Sequence, residues 1–416
     1  MAGSPAIALL TREKLARARV AAATLAQLST AQKNALLLEI ADALEKYASR
    51  ILCANEQDLQ RSDLSGAMRD RLLLTPARIA QLAASVREVV GLPDPVNEVL
   101  EEWTRPNGLL IRKIRVPLGV VGIVYESRPN VTVDAAVLCL KTGNAVALRG
   151  GKEAASSNHE LAEIMAGVKG LPSGAIELLD SGSRDTVQEL IRARGLVDVV
   201  IPRGGPGLIT HVMENALVTV IETGAGNCHI FVDESADCEM ANRIILNAKT
   251  QRPSVCNAAE KLLVHSRIAS EFIPQIARKL TDAGVELRGD EASRRIAPDV
   301  LPAIEQDWSE EYLRLCMAIH VVEDLDEVIE HINRYSTKHS ESIITANQDN
   351  ANKFLQQVDS AAVYWNASTR FTDGGEFGFG AEMGVSTQKL HCRGPFALKE
   401  LTSTKYQVIG TGQVRG

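Results

Sequence analysis

Aromatic residues are scarce in this chain of 416 residues: Phe, Trp and Tyr together make up 4% of it. A core must then be built from Ala, Val, Ile and Leu, a composition that suits an α/β sheet covered by helices. There is no basic excess either. The net charge is −7, with 45 Lys and Arg against 52 Asp and Glu, which argues against a nucleic-acid partner because phosphate binding needs a positive surface. No stretch approaches the roughly eighteen apolar residues that a membrane helix requires. The opening Met-Ala-Gly-Ser-Pro-Ala-Ile-Ala-Leu-Leu lacks the basic start and long apolar core of a secretion signal. The seven cysteines, at 53, 139, 228, 238, 256, 316 and 392, are odd in number and form neither a CxxC pair nor a cluster of zinc spacing. They read as reduced thiols with no metal site. The expectation is a soluble, cytoplasmic protein without a membrane or nucleic-acid partner.

What is present is organised. The length calls for two or three domains. Residues 11–62 carry Ala, Leu, Lys, Arg, Glu and Gln at helical spacing, with a helix start at Ser29-Thr30-Ala31-Gln32. Thr75-Pro76 opens a further helix that runs to about Val90 and stops before Gly91-Leu92-Pro93. The segment Leu92–Val116 holds Asn107-Gly108 between Trp103 and Ile114, a hairpin signal. From Gly119, short apolar runs alternate with helical stretches: 120–125, 145–148, 176–179, 197–201 and 218–221. A second series follows at 229–232, 261–264, 318–322, 342–345 and 362–364, separated by helices near 236–250, 266–284, 324–335 and 347–358. Two such series predict two α/β domains with parallel sheets, divided near Asn227. The tail from Phe371 is glycine-rich and ends in a strand, Lys405–Ile409.

Cys256 is the sharpest chemical feature. It follows Lys249-Thr-Gln-Arg-Pro-Ser-Val and precedes Asn257, a polar setting that predicts an exposed thiol at a helix end. Upstream, Glu222-Thr-Gly-Ala-Gly226 closes the strand Leu217–Ile221 with a glycine-rich turn. A cysteine nucleophile is one reading; a buried, inert thiol is the other, since free Cys is among the most buried residue types. Two runs follow strands and precede helices: Arg149-Gly150-Gly151-Lys152 and Arg203-Gly204-Gly205-Pro206-Gly207. Each reads singly as a tight turn. On neighbouring strand ends they favour a dinucleotide, although the GxGxxG fingerprint is absent. Asn130, behind Pro129, reads either as a donor to a developing oxyanion or as a helix cap. Glu222 reads as a general base, a cofactor-ribose ligand or the polar end of a strand. Glu310 and Glu311 sit in a polar stretch; His265, His320 and His391 are isolated. His331 and the run His339-Ser-Glu form a denser polar group, a candidate substrate contact. Arg370 is a candidate for bidentate carboxylate binding or a surface residue.

At these residues the chain resembles the aldehyde dehydrogenase family nearly end to end. The family's Pro-Trp-Asn segment corresponds to Arg128-Pro129-Asn130, and its Lys-Pro-Gly-Asn turn to Lys141-Thr142-Gly143-Asn144. Its Glu-Leu-Gly-Gly motif corresponds to Glu222–Ala225 and its Gly-Gln-x-Cys motif to Gln251–Cys256. Of Glu-x-Phe-Gly-Pro only Glu311 is kept. The runs Tyr125–Thr132, Gln251–Asn257, His339–Thr345, Tyr364–Asp373 and Gly380–His391 resemble one branch, whose members reduce an acyl phosphate.

The resemblance implies the fold: a cofactor domain over 1–226 with a hairpin at about 100–118, a catalytic domain over 227–370, a return at 371–403 and a tail at 404–416. Hairpin and tail would form a small β oligomerisation flap. It also implies the reaction, reduction of γ-glutamyl phosphate to glutamate 5-semialdehyde in proline biosynthesis. Cys256 would form a thioacyl intermediate, and Asn130 with the Cys256 N–H would hold the oxyanion. Arg149, Gly150 and Lys152, with Gly204, Gly205 and Gly207, would hold the cofactor phosphates, and Glu311 the nicotinamide ribose. Lys152 stands where NAD-dependent members carry a Glu, which implies NADP. Arg370, His331 and His339 are the candidates for the substrate. A homo-oligomer (dimer or tetramer) and a separate glutamate 5-kinase that channels the acyl phosphate complete the expectation. The rivals are a hydrolytic aldehyde dehydrogenase and a nucleotide-binding scaffold that keeps only the fold.

Overall fold

The computed structural model describes residues 5–61, 66–126 and 128–415. Met1–Ser4, Ser62 at the end of the expected helical stretch and Ser127 within the Tyr125–Thr132 run lie outside the described residues. The chain divides into two compact units. One comprises Met1–Glu222, Gly378–Gly384 and Phe396–Gly416; the other comprises Thr223–Phe377 and Val385–Pro395. The division thus follows Glu222 rather than Asn227. The expected single return at 371 is two separate returns, with 385–395 belonging to the second unit.

In the first unit the capping residues act as the sequence suggests. The Ser29 hydroxyl accepts the Gln32 N–H at 3.3 Å, while Gln32 Oε1 accepts the Ser29 N–H at 2.9 Å, a reciprocal pair that starts the helix Thr30–Lys46. Thr75 accepts the Arg78 N–H ahead of the helix Pro76–Gly91, where Pro76 loses no bond because first-turn N–H groups are unpaired anyway. The hairpin strands are β1 (Val99–Thr104) and β2 (Leu110–Pro117). Their turn spans five residues rather than two, closed by Arg105 N–H to Leu109 O at 2.8 Å, with Gly108 at a φ of +86° that a side chain would disfavour. The final strand, Thr402–Ile409, pairs antiparallel with β2 along its whole length. Trp103 and Tyr406 meet edge to face at 6.2 Å.

The unit's main sheet is parallel. Its strands are β3 (Val120–Tyr125), β4 (Ala145–Arg149), β5 (Ile176–Leu178), β6 (Val199–Arg203) and β7 (Thr219–Val220), in the order β5-β4-β3-β6-β7. All six residues of β3 are buried, as a central strand covered on both faces requires.

The second unit holds seven parallel strands: β8 (Cys228–Val232), β9 (Ala259–His265), β10 (Glu286–Gly289), β11 (Leu301–Pro302), β12 (Cys316–Val322), β13 (Ser340–Ile344) and β14 (Ala362–Trp365). Their order is β11-β10-β12-β9-β8-β13-β14. The helix Ser266–Asp282 buries Phe272, Ile273, Ile276 and Leu280 against this sheet, each burial contributing about 1.5–3 kcal/mol. Strands β10 and β11 escaped the sequence reading. β10 alternates half-buried and buried positions, and its charged Glu286 and Arg288 pair with Arg314 and Asp307 instead of forming an apolar run.

Candidate active site

The first unit's sheet grows from β3 to one side through β4 and β5, then returns to add β6 and β7 on the other. Such a reversal leaves a crevice outside the carboxyl ends of the two strands at the switch, here β3 and β6, where open α/β sheets bind their ligands. Glu126 bridges these ends. Its N–H donates to Arg203 O at 3.2 Å, and its Oε2 accepts the Gly205 N–H at 2.9 Å. A side chain on Gly204 would come within 2.8 Å of that carboxylate, whereas Gly207 has open space around it. Glu126 therefore already places a negative charge at the start of the helix Pro206–Asn215.

On the neighbouring strand end, Arg149 donates to the carbonyls of Gly150, Ser181 and Ser183 at 2.9–3.3 Å. Burial lowers its pKa, with Asp180 and Glu153 opposing. Its Nε is buried and has no hydrogen-bond partner among the described residues. Gly150 lies against Asn158, and Lys152 is exposed at the start of the short helix Lys152–Ala154.

Asn130 is not a helix cap. It is the second residue of the helix Pro129–Lys141, whose capping position is Arg128, and its Nδ2 donates to Asp134 Oδ2 at 3.1 Å. Burial pushes the Asp134 carboxyl up to about 6, against the lowering effect of the Asn130 bond and of Arg203, while Glu382 adds to the rise. Asp134 was not foreseen, though an acid four residues after Asn130 in an otherwise apolar helix is a legible signal.

Cys256 lies in the loop between the helix Cys238–Thr250 and β9, half-buried and outside any disulfide. Three devices hold this loop. Lys249 and Glu260, fully buried, pair at 2.9 Å and bracket its two ends. Asn257 donates to the carbonyls of Thr372 and Arg370 at 2.9 and 3.3 Å and accepts from Arg370 Nη1, while its own carbonyl takes the Thr369 hydroxyl at 2.7 Å. Gly226 packs so closely that an added Cβ would lie 1.4 Å from the Cys256 carbonyl oxygen. Asn257 is thus buried at 4% exposure; it anchors the loop, and is not the mark of exposure that its polarity suggested.

Glu311 reaches the same place. Its Oε1 accepts the Gly226 N–H at 2.6 Å, and burial raises its pKa. Arg370 also belongs here, donating from Nε to Gln251 at 3.0 Å and from Nη1 to Asn257. With two of its nitrogens engaged, the expected bidentate grip on a carboxylate is not available on that edge. Glu222 is half-buried beyond the end of β7, as the last residue of the first unit's long segment.

The two histidines are both buried, and His339 stands close behind the Cys256 loop, because Cys228 Sγ donates to the Cys256 carbonyl at 3.2 Å. His331 is buried with its ring 4.8–5.6 Å from those of Tyr335, His320, His229 and Trp308, and burial lowers its pKa to about 2. His339 is fully buried, with Nδ1 at 2.8 Å from the Ser340 hydroxyl and 3.9 Å from Cys228 Sγ. Neither is among the residues that line the cavity beside Arg370. Among the described residues, no helix is long and apolar enough to cross a membrane.

The aldehyde dehydrogenase family model matches residues 10–313. An acetylating aldehyde dehydrogenase from Geobacillus thermoglucosidasius, 16% identical, shares the fold with a TM-score of 0.69 over 98% of each chain. The chain belongs to the aldehyde dehydrogenase family, oxidoreductases that use a nicotinamide cofactor. Within that family it is similar over its whole length to γ-glutamyl phosphate reductases. The one from Koribacter versatilis is 65% identical over 409 residues, 98% of this chain and all of the relative. That from Thermotoga maritima, in its crystal structure, is 50% identical with a TM-score of 0.96, covering 98% of this chain and 100% of that one. The expected family and fold class are borne out.

Proposed function

We propose that the chain reduces γ-glutamyl phosphate to glutamate 5-semialdehyde with NADPH, through a thioacyl intermediate on Cys256, as a step of proline biosynthesis. The observation that carries this reading is the fixing of a half-buried thiol by a buried ion pair, a buried amide and a close glycine contact. Catalysis needs a nucleophile held in one geometry, and an inert core cysteine has no use for such a loop.

The Cys256 sulfur attacks the acyl carbon as a thiolate; a C–S bond forms, the C–O bond to phosphate breaks, and phosphate leaves with the electron pair. The Asn130 amide and the Cys256 N–H stabilise the oxyanion formed on the way. NADPH, when bound, would supply the hydride that brings the thioacyl carbon to the aldehyde level; the C–S bond then breaks with its electron pair returning to the Cys256 sulfur, and the aldehyde is released. The switch-point crevice fits such a cofactor: Arg149 carries a buried N–H in need of an acceptor, and Gly207 leaves room for close approach. Arg149 and Lys152 would hold its phosphates, with the Gly204–Gly207 turn beside them, and Glu311 its nicotinamide ribose. The positive charge of Lys152 favours a 2′-phosphate, so Lys152→Glu is expected to shift the NADPH-over-NADH preference in kcat/KM by about tenfold, as one charge pair at a partly solvated site would.

A strong water activator would waste the thioester, so Glu222 does not act as one in this reading. The flap exposes Trp103, Val408 and Ile409, which supports a homo-oligomer built on it. A separate kinase in the same cytoplasmic compartment would supply the labile acyl phosphate. The test is oxidation of glutamate 5-semialdehyde with NADP and with or without phosphate. Turnover that requires phosphate supports the reading; turnover indifferent to phosphate means a hydrolytic enzyme.

A further inference from the structure

We infer that the cavity beside Arg370 is the subsite for the zwitterionic end of the substrate, with Arg370 taking the α-carboxylate and Asp373 and Glu376 the α-ammonium. This rests on the proposed reduction of γ-glutamyl phosphate and names the part of the site that recognises its amino-acid end.

The cavity has a volume of about 210 Å³ and is lined by Asn247, Gln251, Arg370, Phe371, Asp373 and Glu376. One cation and two carboxylates face one small space together with two neutral amides. A plain acyl group offers no charge of opposite sign to any of the three, and a phosphate would meet two carboxylates. A zwitterion carries both opposite signs and satisfies the lining as it stands.

The polar atoms left over fit the same ligand. Arg370 uses Nε on Gln251 and Nη1 on Asn257, so Nη2 has no protein partner among the described residues. Asn247 gives Oδ1 to the Ser368 hydroxyl at 2.8 Å, which leaves its NH₂ as a second donor. Asp373 fixes its own loop by accepting the N–H groups of Gly375 and Glu376 on Oδ1, at 2.9 and 3.4 Å, and Oδ2 remains.

The position is right as well. Gln251 opens the loop that carries Cys256, and Asn257 follows the nucleophile, so Arg370 grips the loop on both sides of the sulfur. Arg370 also lies within electrostatic reach of Cys256, Arg252 and Asp373. In a glutamyl chain the acyl carbon and the α-carbon are three carbon–carbon bonds apart, about 4 Å when extended. A carboxylate held by Arg370 is therefore joined to an acyl carbon that need travel only the length of a short side chain.

The experiment compares two aldehydes in the phosphate-dependent oxidation, glutamate 5-semialdehyde and 5-oxopentanoate, which keeps the carboxylate and lacks the ammonium. The wild-type chain is expected to show a KM at least tenfold higher for 5-oxopentanoate. In the double variant Asp373→Asn, Glu376→Gln, KM for the semialdehyde rises at least tenfold while that for 5-oxopentanoate stays within threefold. Arg370→Gln raises KM for both. Equal KM values in the wild type, or equal rises for both aldehydes in the acid variant, overturn the assignment. Binding gives a readout independent of turnover: L-glutamate is expected to raise the melting temperature of the wild type, glutarate is not, and the acid variant loses the difference. An inactive wild type that still makes this distinction keeps the subsite and loses the reductase reading. An active wild type that fails to make it in binding and in KM loses the subsite alone.

Discussion

The loop that carries Cys256 and the helix start that carries Asn130 are held by opposite means. The cysteine loop is locked by buried partners: Lys249 with Glu260 at its ends, Asn257 with four hydrogen bonds, and the close approach of Gly226. Asn130 stands in the first turn of a helix and its amide is oriented by one neighbour, Asp134, a carboxyl that burial pushes up to about 6. The difference is instructive. A nucleophile must be placed once and kept there, whereas a hydrogen-bond donor can be tuned through the group that orients it.

The comparison is broken most severely by removing the sulfur. Cys256→Ala is expected to lower kcat at least about 10³-fold, as deletion of a covalent nucleophile does, with the thermal transition unchanged because the loop's anchors remain. If activity survives, the locked loop has another purpose. Next is Lys249→Met, which leaves Glu260 buried without its partner and should cost about 3–5 kcal/mol of stability, read from urea unfolding. A loss below about 1 kcal/mol would show that the loop is held by Asn257 and Gly226 alone. Asn130→Ala should lower kcat about 10²–10³-fold, the cost of one oxyanion donor, with no comparable loss of stability.

The smallest effect sharpens the contrast. Above about pH 6 Asp134 is ionised and can only accept, which fixes the Asn130 NH₂ toward it; below that it can donate, and the amide is free to turn over. The rate is therefore expected to fall as pH drops through about 6, and Asp134→Asn should remove that limb while changing the rate at pH 8 only a few-fold. The stability effect has the opposite sign. A carboxyl raised in the folded state holds its proton more tightly there than in the unfolded chain, so its contribution is present at low pH and lost as pH rises through about 6. The Asn variant should lack this loss.

Much of this was legible in one dimension. Ser29 with Gln32, Thr75 with Pro76, and the apolar runs that became β3, β4, β8 and β9 are local signals, and local physics decides them. β10 was not legible because its charged residues Glu286 and Arg288 are satisfied by Arg314 and Asp307 from later segments, and β11 is only the two residues Leu301–Pro302. The burial of His331 and His339 was not legible either, since polarity alone does not tell a cavity from a core that contains other polar groups. Asn257 was the sharpest reversal: its position beside the thiol suggested solvent, and the fold uses its side-chain NH₂ and oxygen to close the loop.

The sequence by itself determined the family and the two-sheet α/β architecture with its hairpin and final strand, because motif spacing and hydrophobic period are properties of neighbours along the chain. Only the tertiary structure decided which polar side chains are spent on the protein itself and which are left for a ligand. Hydrogen bonds and burial are settled between segments a hundred residues apart, as between Asn257 and Arg370, and no local pattern records them.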